Sequence, residues 1–228
     1  MEIIPIKLKM TKAVLLKGET SLLVDTGNPG DHKLILYEME ANGIPPEKLD
    51  YILITHAHVD HYGSVNEIRE RTGAKVIIHE KDYDAMKEGE NSEIVPFSLM
   101  GRLMAPFIRK GSRPSNLKGA KADVLIKDDE AYDLHPLGLE GRIVHTPGHT
   151  PGSCSVFLDE KTAIVGDLMM SFIIPEKPGR PLFAYNKKVW QNSIRKVLDA
   201  HPERIIITHG NEYIYDDFKS FCDRELSK

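Results

Sequence analysis

Short apolar runs alternate with amphipathic stretches along this chain. Ala13-Val14-Leu15-Leu16 and Ser21-Leu22-Leu23-Val24 flank Lys17-Gly18-Glu19-Thr20, a turn-like link that predicts a hairpin. Asp25-Thr26-Gly27-Asn28-Pro29-Gly30 stops the second strand with turn residues. Residues 31–43 carry Leu34, Ile35, Tyr37 and Met39 at mixed helical spacing, closed by Asn42-Gly43. Tyr51-Ile52-Leu53-Ile54 is a wholly apolar strand of the kind buried on both faces. A helix over 65–71 ending at Gly73 and a strand over 75–78 follow. Residues 80–122 hold few strand signals, and Pro96 to Met104 predicts an amphipathic helix with apolar side chains at 97, 100, 103 and 104. Strands return near 124–126, 142–145, 153–158, 162–165 and 204–207. A helix over 187–200 places Trp190, Ile194, Val197 and Leu198 on one face, and another over 216–226 ends the sequence. Interleaved strands and helices with frequent hairpins predict an α/β protein. Two sheets with helices on their outer faces fit better than one doubly wound sheet.

The 228 residues are read as one domain, 1–228, with a helical and loop insert at about 80–122. An apolar fraction of 41% with 28% charged residues excludes a disordered chain. A formal net charge of −4 offers no global basic field for nucleic acid or anionic membrane. One local exception stands out: from Ile94 through Ala122 there is no Asp or Glu, but there are Arg102, Arg109, Lys110, Arg113, Lys118 and Lys121. Cys154 and Cys222 lie far apart and form no CxxC, so two reduced thiols in a cytoplasmic protein are expected. Met1-Glu2-Ile3-Ile4-Pro5 lacks the basic and long apolar regions of a signal peptide, and no run approaches the roughly 18 apolar residues of a membrane span.

The chemistry concentrates in Thr55-His56-Ala57-His58-Val59-Asp60-His61, which packs three imidazoles and a carboxylate behind a buried strand. In an extended loop His56 and His58 point the same way and can reach one cation. Asp60 and His61 follow at the turn and can face a second. Imidazole and carboxylate are the donors that borderline divalent metals take. Four polar side chains against a buried strand would be costly without a partner. His149 in Pro147-Gly148-His149, Asp167 after Ile164-Val165-Gly166, and His209 after Ile205-Ile206-Ile207-Thr208 also sit just past strands, as does Asp25. Strand ends gathered along one edge make a rim where sites form. His32, His79, His135, His145 and His201 are read as structural, with His79 and His145 notable because each ends a strand.

The HxHxDH run, the later PGH, the strand-GD and the strand-HG resemble the metallo-β-lactamase superfamily, over the stretch from Leu22 to Gly210. The resemblance implies an αββα four-layer sandwich with two metals between the sheet edges. It implies that His56, His58 and His149 hold one ion, that Asp60, His61 and His209 hold the other, and that Asp167 bridges them. It implies that Asp25 braces the ligand loop by hydrogen bonds. Zinc is the foremost expectation, and iron or manganese also accept this donor set. The implied reaction is hydrolysis of a small ester, lactone or thioester by a hydroxide shared between the ions, with Asp60 and Asp167 in the catalytic roles. No Gly-x-Ser-x-Gly nucleophile competes.

Lactonases of this family place a tyrosine three residues after the bridging aspartate; here that position is Met170, and Tyr185 is the alternative. The basic stretch reads as a lid, with Phe97, Met100, Met104 and Phe107 as an apolar wall, or as a dimer contact or solvated loop. The expected partner is a small molecule with an apolar part, with neither membrane nor nucleic acid, and a homodimer through the insert is reasonable. Rival readings are an RNase-type phosphodiesterase and a mono-iron oxidoreductase of the persulfide dioxygenase kind.

Overall fold

The computed structural model describes residues 1–111, 117–127, 131–159, 161–171 and 177–227. Arg113 of the basic stretch lies outside them. The first sheet comprises β1 (Glu2–Lys7), β2 (Lys12–Lys17), β3 (Ser21–Val24), β4 (Tyr51–Leu53), β5 (Lys75–His79) and β6 (Val124–Ile126), hydrogen-bonded in that order. β1–β2–β3 run antiparallel, while β3, β4, β5 and β6 run parallel. Its helices are α1 (His32–Ala41), the single turn α2 (Val59–Tyr62), α3 (Val65–Thr72) and α4 (Glu80–Glu88), while α5 (Leu99–Gly111) packs Ala105 with Met170, Leu182 and Phe183. The second sheet comprises β7 (Tyr132–Asp133), β8 (Gly141–His145), β9 (Cys154–Leu158), β10 (Thr162–Ile164), β11 (Arg204–Ile206) and β12 (Glu212–Ile214), with α6 (Lys187–Asp199) and α7 (Tyr215–Leu226). Only β10–β11 is parallel in it.

The side-chain alternation of the strands sorts the apolar residues into layers. Val14, Leu16, Leu22, Val24 and Leu53 face inward and meet Ile143, Val156, Leu158, Ile164 and Ile206 of the second sheet. The intervening Leu15, Leu23 and Ile52 face outward onto Ile35 and Met39 of α1, Ile68 of α3 and Met86 of α4. Phe157, Ala163 and Ile205 face Trp190, Ile194 and Val197 of α6 and Phe218 and Phe221 of α7. The result is the αββα sandwich, with three apolar seams between four layers. No helix among the described residues is long and apolar enough to cross a membrane.

Two details differ from the sequence expectation. The helix expected from Pro96 begins at Leu99, because the Ser98 hydroxyl accepts a hydrogen bond from the Gly101 N–H at 2.9 Å and caps it. Phe97 thereby stays outside the helix and packs edge-on against Trp190, with ring centroids 5.1 Å apart. α4, inside the expected insert, belongs to the outer layer of the first sheet through Met86.

Trp190 anchors the second outer layer. It is fully buried, it also meets Phe221, and its indole N–H donates to the Leu168 carbonyl at 2.7 Å. Trp190→Ala is expected to lower unfolding free energy by about 3–5 kcal/mol in urea titrations. A loss under about 1 kcal/mol would show that the seam is anchored elsewhere.

Candidate metal centre

The strand ends deliver the functional side chains to one rim. His56 to His61 follow β4, His149 follows β8, Asp167 follows β10, His209 follows β11 and Asp25 follows β3. His58 keeps an extended backbone (φ −109°, ψ 146°) and α2 starts directly after it. The single helical turn then carries His61 back beside His56, ring centroids 3.9 Å apart, while Asp60 faces the cleft. Gly148 allows the His149 loop to lie on α6: its φ is +140°, and a Cβ there would stand 2.5 Å from the Trp190 Cα.

The seven expected side chains come together in three overlapping groups: His56, His58 and His149; His56, His61 and Asp167; and Asp60, His61 and His209. His58 Nδ1 lies 3.1 Å from His56 Nε2 and 3.0 Å from His149 Nε2. Asp167 sits between the outer groups, its Oδ2 3.5 Å from His149 Nε2 and 3.4 Å from His209 Nε2, its Oδ1 3.4 Å from His61 Nε2. Asp60 Oδ2 lies 3.2 Å from His209 Nε2.

Every imidazole has an acceptor behind it. His149 Nδ1 faces the Phe183 carbonyl at 2.8 Å, His58 Nε2 the Ser92 carbonyl at 3.2 Å and His209 Nδ1 the Met10 carbonyl at 3.1 Å. His61 Nδ1 faces Asp25 Oδ2 at 2.9 Å. His56 Nδ1 faces the Thr55 hydroxyl at 3.1 Å, and that hydroxyl donates to Asp25 Oδ2 at 2.9 Å. A proton on each rear nitrogen satisfies these acceptors and turns the front nitrogen of each ring toward the common centre. Asp25 also accepts the Thr55 N–H at 2.8 Å, so one carboxylate braces two of the histidines.

Two buried atoms in the centre, His61 Nε2 and Asp167 Oδ1, have no hydrogen-bond partner. Polar atoms seldom stay buried so, and a cation between them would satisfy both. The charge balance agrees. Burial, with the neighbouring imidazoles, holds His56 far below its ordinary pKa and pushes His58 down to about 3; burial also lowers His149. These three offer neutral lone pairs. Burial disfavours charge on His61 and His209 too, but Asp167 and the other carboxylates outweigh it, raising His61 well above its usual value and His209 to about 10. Burial opposes charge on Asp60 and Asp167, and the same two histidines hold both carboxyls below their ordinary range. The pocket demands positive charge beside Asp60 and Asp167, and protons supply it where a divalent cation fits. Cys154 belongs to none of these donor groups, and burial and the nearby Asp82 charge push its thiol far up.

Above the donors lies a cleft of roughly 380 Å³. His58, Asp60, His149, Asp167 and His209 form its floor, and Met10, Ile94, Met104, Ile108, Met170, Leu182 and Phe183 its apolar wall. Of the wall expected from sequence only Met104 takes part; Phe97 is drawn into the Trp190 seam, and Met100 and Phe107 face solvent. Met170 lines the cleft and Tyr185 does not. His79 and His145 stack on each other (4.0 Å), His135 ion-pairs with Asp133 and Asp159, and His201 packs on Tyr215, all outside the cleft. The carbonyls of Met10, Ser92 and Phe183 had no sequence signal, because every residue carries one.

Two stacked sheets between helices, with imidazoles and carboxylates converging at one rim, define a framework suited to holding divalent metal ions. The model of the metallo-beta-lactamase superfamily matches residues 7–209, and the chain belongs to that superfamily. It is 32% identical over 199 residues to the probable metallo-hydrolase YqgX of Bacillus subtilis, covering 86% of this chain and 82% of that one. It is 28% identical over 196 residues to a hydroxyacylglutathione hydrolase of Pelagibacter ubique, covering 86% of this chain and 63% of that one. The crystal structure of BLEG-1 B3 metallo-beta-lactamase superposes with a TM-score of 0.71 at 23% identity, covering 96% of both chains.

Asp25 has a left-handed backbone (φ 62°) that asparagine also adopts readily, so Asp25→Asn tests the brace without disturbing the turn. Metal affinity is expected to fall about 10–100-fold in chelator competition. Unchanged affinity would show that Asp25 does not tune the donors.

Proposed function

We propose that the protein is a dinuclear metal-dependent hydrolase acting on a small ester, lactone or thioester with an apolar acyl part. The observation that carries this reading is that Asp167 Oδ2 lies 3.5 Å from His149 Nε2 and 3.4 Å from His209 Nε2, between the two outer donor groups, beneath an apolar cleft. His56, His58 and His149 would hold one ion, Asp60, His61 and His209 the other, with Asp167 shared between them; zinc suits the nitrogen-rich first set best. Bound there, divalent cations supply Lewis acidity, which makes water acidic near neutrality and polarises a carbonyl.

The chain's own residues supply the rest. The carbonyls behind His58, His149 and His209 fix each ring's orientation, so the donors need no rearrangement during the reaction. Asp60, whose side chain is 34% exposed and faces the cleft, can accept a proton at Oδ2 and pass it to the leaving group. Met104, Ile108, Leu182 and Phe183 shield the floor from bulk water and give an acyl chain an adaptable surface.

Among the described residues, no lysine or arginine lines the cleft. That favours an uncharged acyl group over a phosphodiester. Hydrolysis of thioesters draws support from the hydroxyacylglutathione hydrolase relative, while the described lining residues include no lysine or arginine to meet glutathione carboxylates. Retention of Asp60, His61 and His209 favours two ions over a mono-iron oxidoreductase.

Metal-replete protein is expected to hold two equivalents by elemental analysis. It should hydrolyse members of a thioester, lactone and aryl ester panel, with activity lost on chelation and restored by zinc. Cleavage of a phosphodiester with no carbonyl ester turned over would overturn the substrate reading; one equivalent of iron with oxygen uptake would overturn the dinuclear one. Asp60→Asn is expected to lower kcat by about 10²–10⁴-fold at saturating metal, and an unchanged kcat would remove Asp60 from proton transfer.

A further inference from the structure

Asp82 lies outside the cleft and is fully buried on α4. Its carboxylate accepts three hydrogen bonds from two separate loops. Oδ2 takes the Ala57 N–H at 2.8 Å and the Thr150 hydroxyl at 2.7 Å, and Oδ1 takes the Gly152 N–H at 2.7 Å. Ala57 stands between His56 and His58, and Thr150 directly follows His149. The approach is close: a Cβ on Gly152 would fall 2.7 Å from the Asp82 carboxyl carbon. We infer that Asp82 is a positioning residue that locks the loop of His56 and His58 to the loop of His149 and so sets the spacing of those three donors.

The two loops leave different sheets, one after β4 and the other between β8 and β9. A shear of the sheets would part His58 Nδ1 from His149 Nε2, now 3.0 Å apart. One rigid carboxylate bonded to both loops opposes that shear. All three partners belong to the two donor-bearing loops, which points to geometry as the role of this carboxylate. Thr150 reinforces the clamp, since its hydroxyl lies 2.7 Å from Ser153 Oγ, and that oxygen accepts the Thr150 N–H.

The inference rests on the metal reading above, and the test separates the two. Metal-stripped full-length protein is titrated with Co(II), reading affinity by chelator competition and coordination by the visible absorption spectrum. Asp82→Asn keeps the shape but turns an amide N–H₂ toward one loop. It is expected to weaken the first Co(II) by about 10–100-fold and to shift its bands. Thr150→Val, which removes one donor, is expected to weaken it several-fold, and it decides the matter if Asp82→Asn does not fold. Val197→Ala in the α6 seam controls for mere destabilisation: it should lower the unfolding midpoint and leave affinity and spectrum in place. Parental affinity and spectrum in Thr150→Val and in folded Asp82→Asn would overturn the inference alone. A parent protein that binds no Co(II) would overturn the metal reading and this inference with it.

Discussion

Asp167 Oδ1 and His61 Nε2 face each other at 3.4 Å, both buried and neither hydrogen-bonded. That unmet demand organises the surrounding residues. His61 is gripped from behind by Asp25 and faces Asp167 in front, so its ring has no freedom to turn toward another partner. Asp25 in turn is held by Thr55, whose hydroxyl also sets the rear nitrogen of His56. A protein selected only for stability would fill this volume with apolar side chains. The arrangement instead holds lone pairs in place before any ligand arrives, so little reorganisation remains to be done on binding.

The sandwich serves this arrangement by bringing two sheets into register at one rim. The donor group of His56, His58 and His149 is completed only across the two sheets: the first two residues come from the first sheet and His149 from the second. The sheets are joined at this level, where the Cys154 N–H donates to the Thr55 carbonyl at 2.9 Å. Gly166, at φ +51°, passes close to Thr55, which brings Asp167 under the first-sheet histidines. The apolar seam between the sheets therefore sets the distance across the site as well as contributing to stability.

Much of this was legible in the sequence. The wholly apolar Tyr51-Ile52-Leu53-Ile54 predicted a strand buried on both faces, and the strand ends marked where the polar residues would gather. His56, His58, Asp60 and His61 were readable because so dense a polar run behind Ile52-Leu53-Ile54 is costly to bury unless a cation satisfies it. Other features were hidden for physical reasons. β7 and β12 are two and three residues long with exposed members, and they exist through pairing with β8 and β11. The start of α5 turned on a serine cap whose signal, Ser98, was present but outweighed by the apolar spacing around it. Asp82 resembled any surface acid on a helix rich in charge, since nothing local reveals that α4 turns it toward two distant loops.

α5 contributes Met104 and Ile108 to the cleft while Leu99, Leu103 and Phe107 stand exposed on the helix. None of the metal-facing side chains or their rear acceptors lies on it. Part of the cleft wall is thus carried by a helix that holds none of the donors, whereas Met10 and Phe183 both line the cleft and orient donor rings. This helix can drift, lengthen or be exchanged over evolutionary time while the reactive floor stays constant. A change confined to this helix would alter the wall at Met104 and Ile108 and leave the donor geometry untouched.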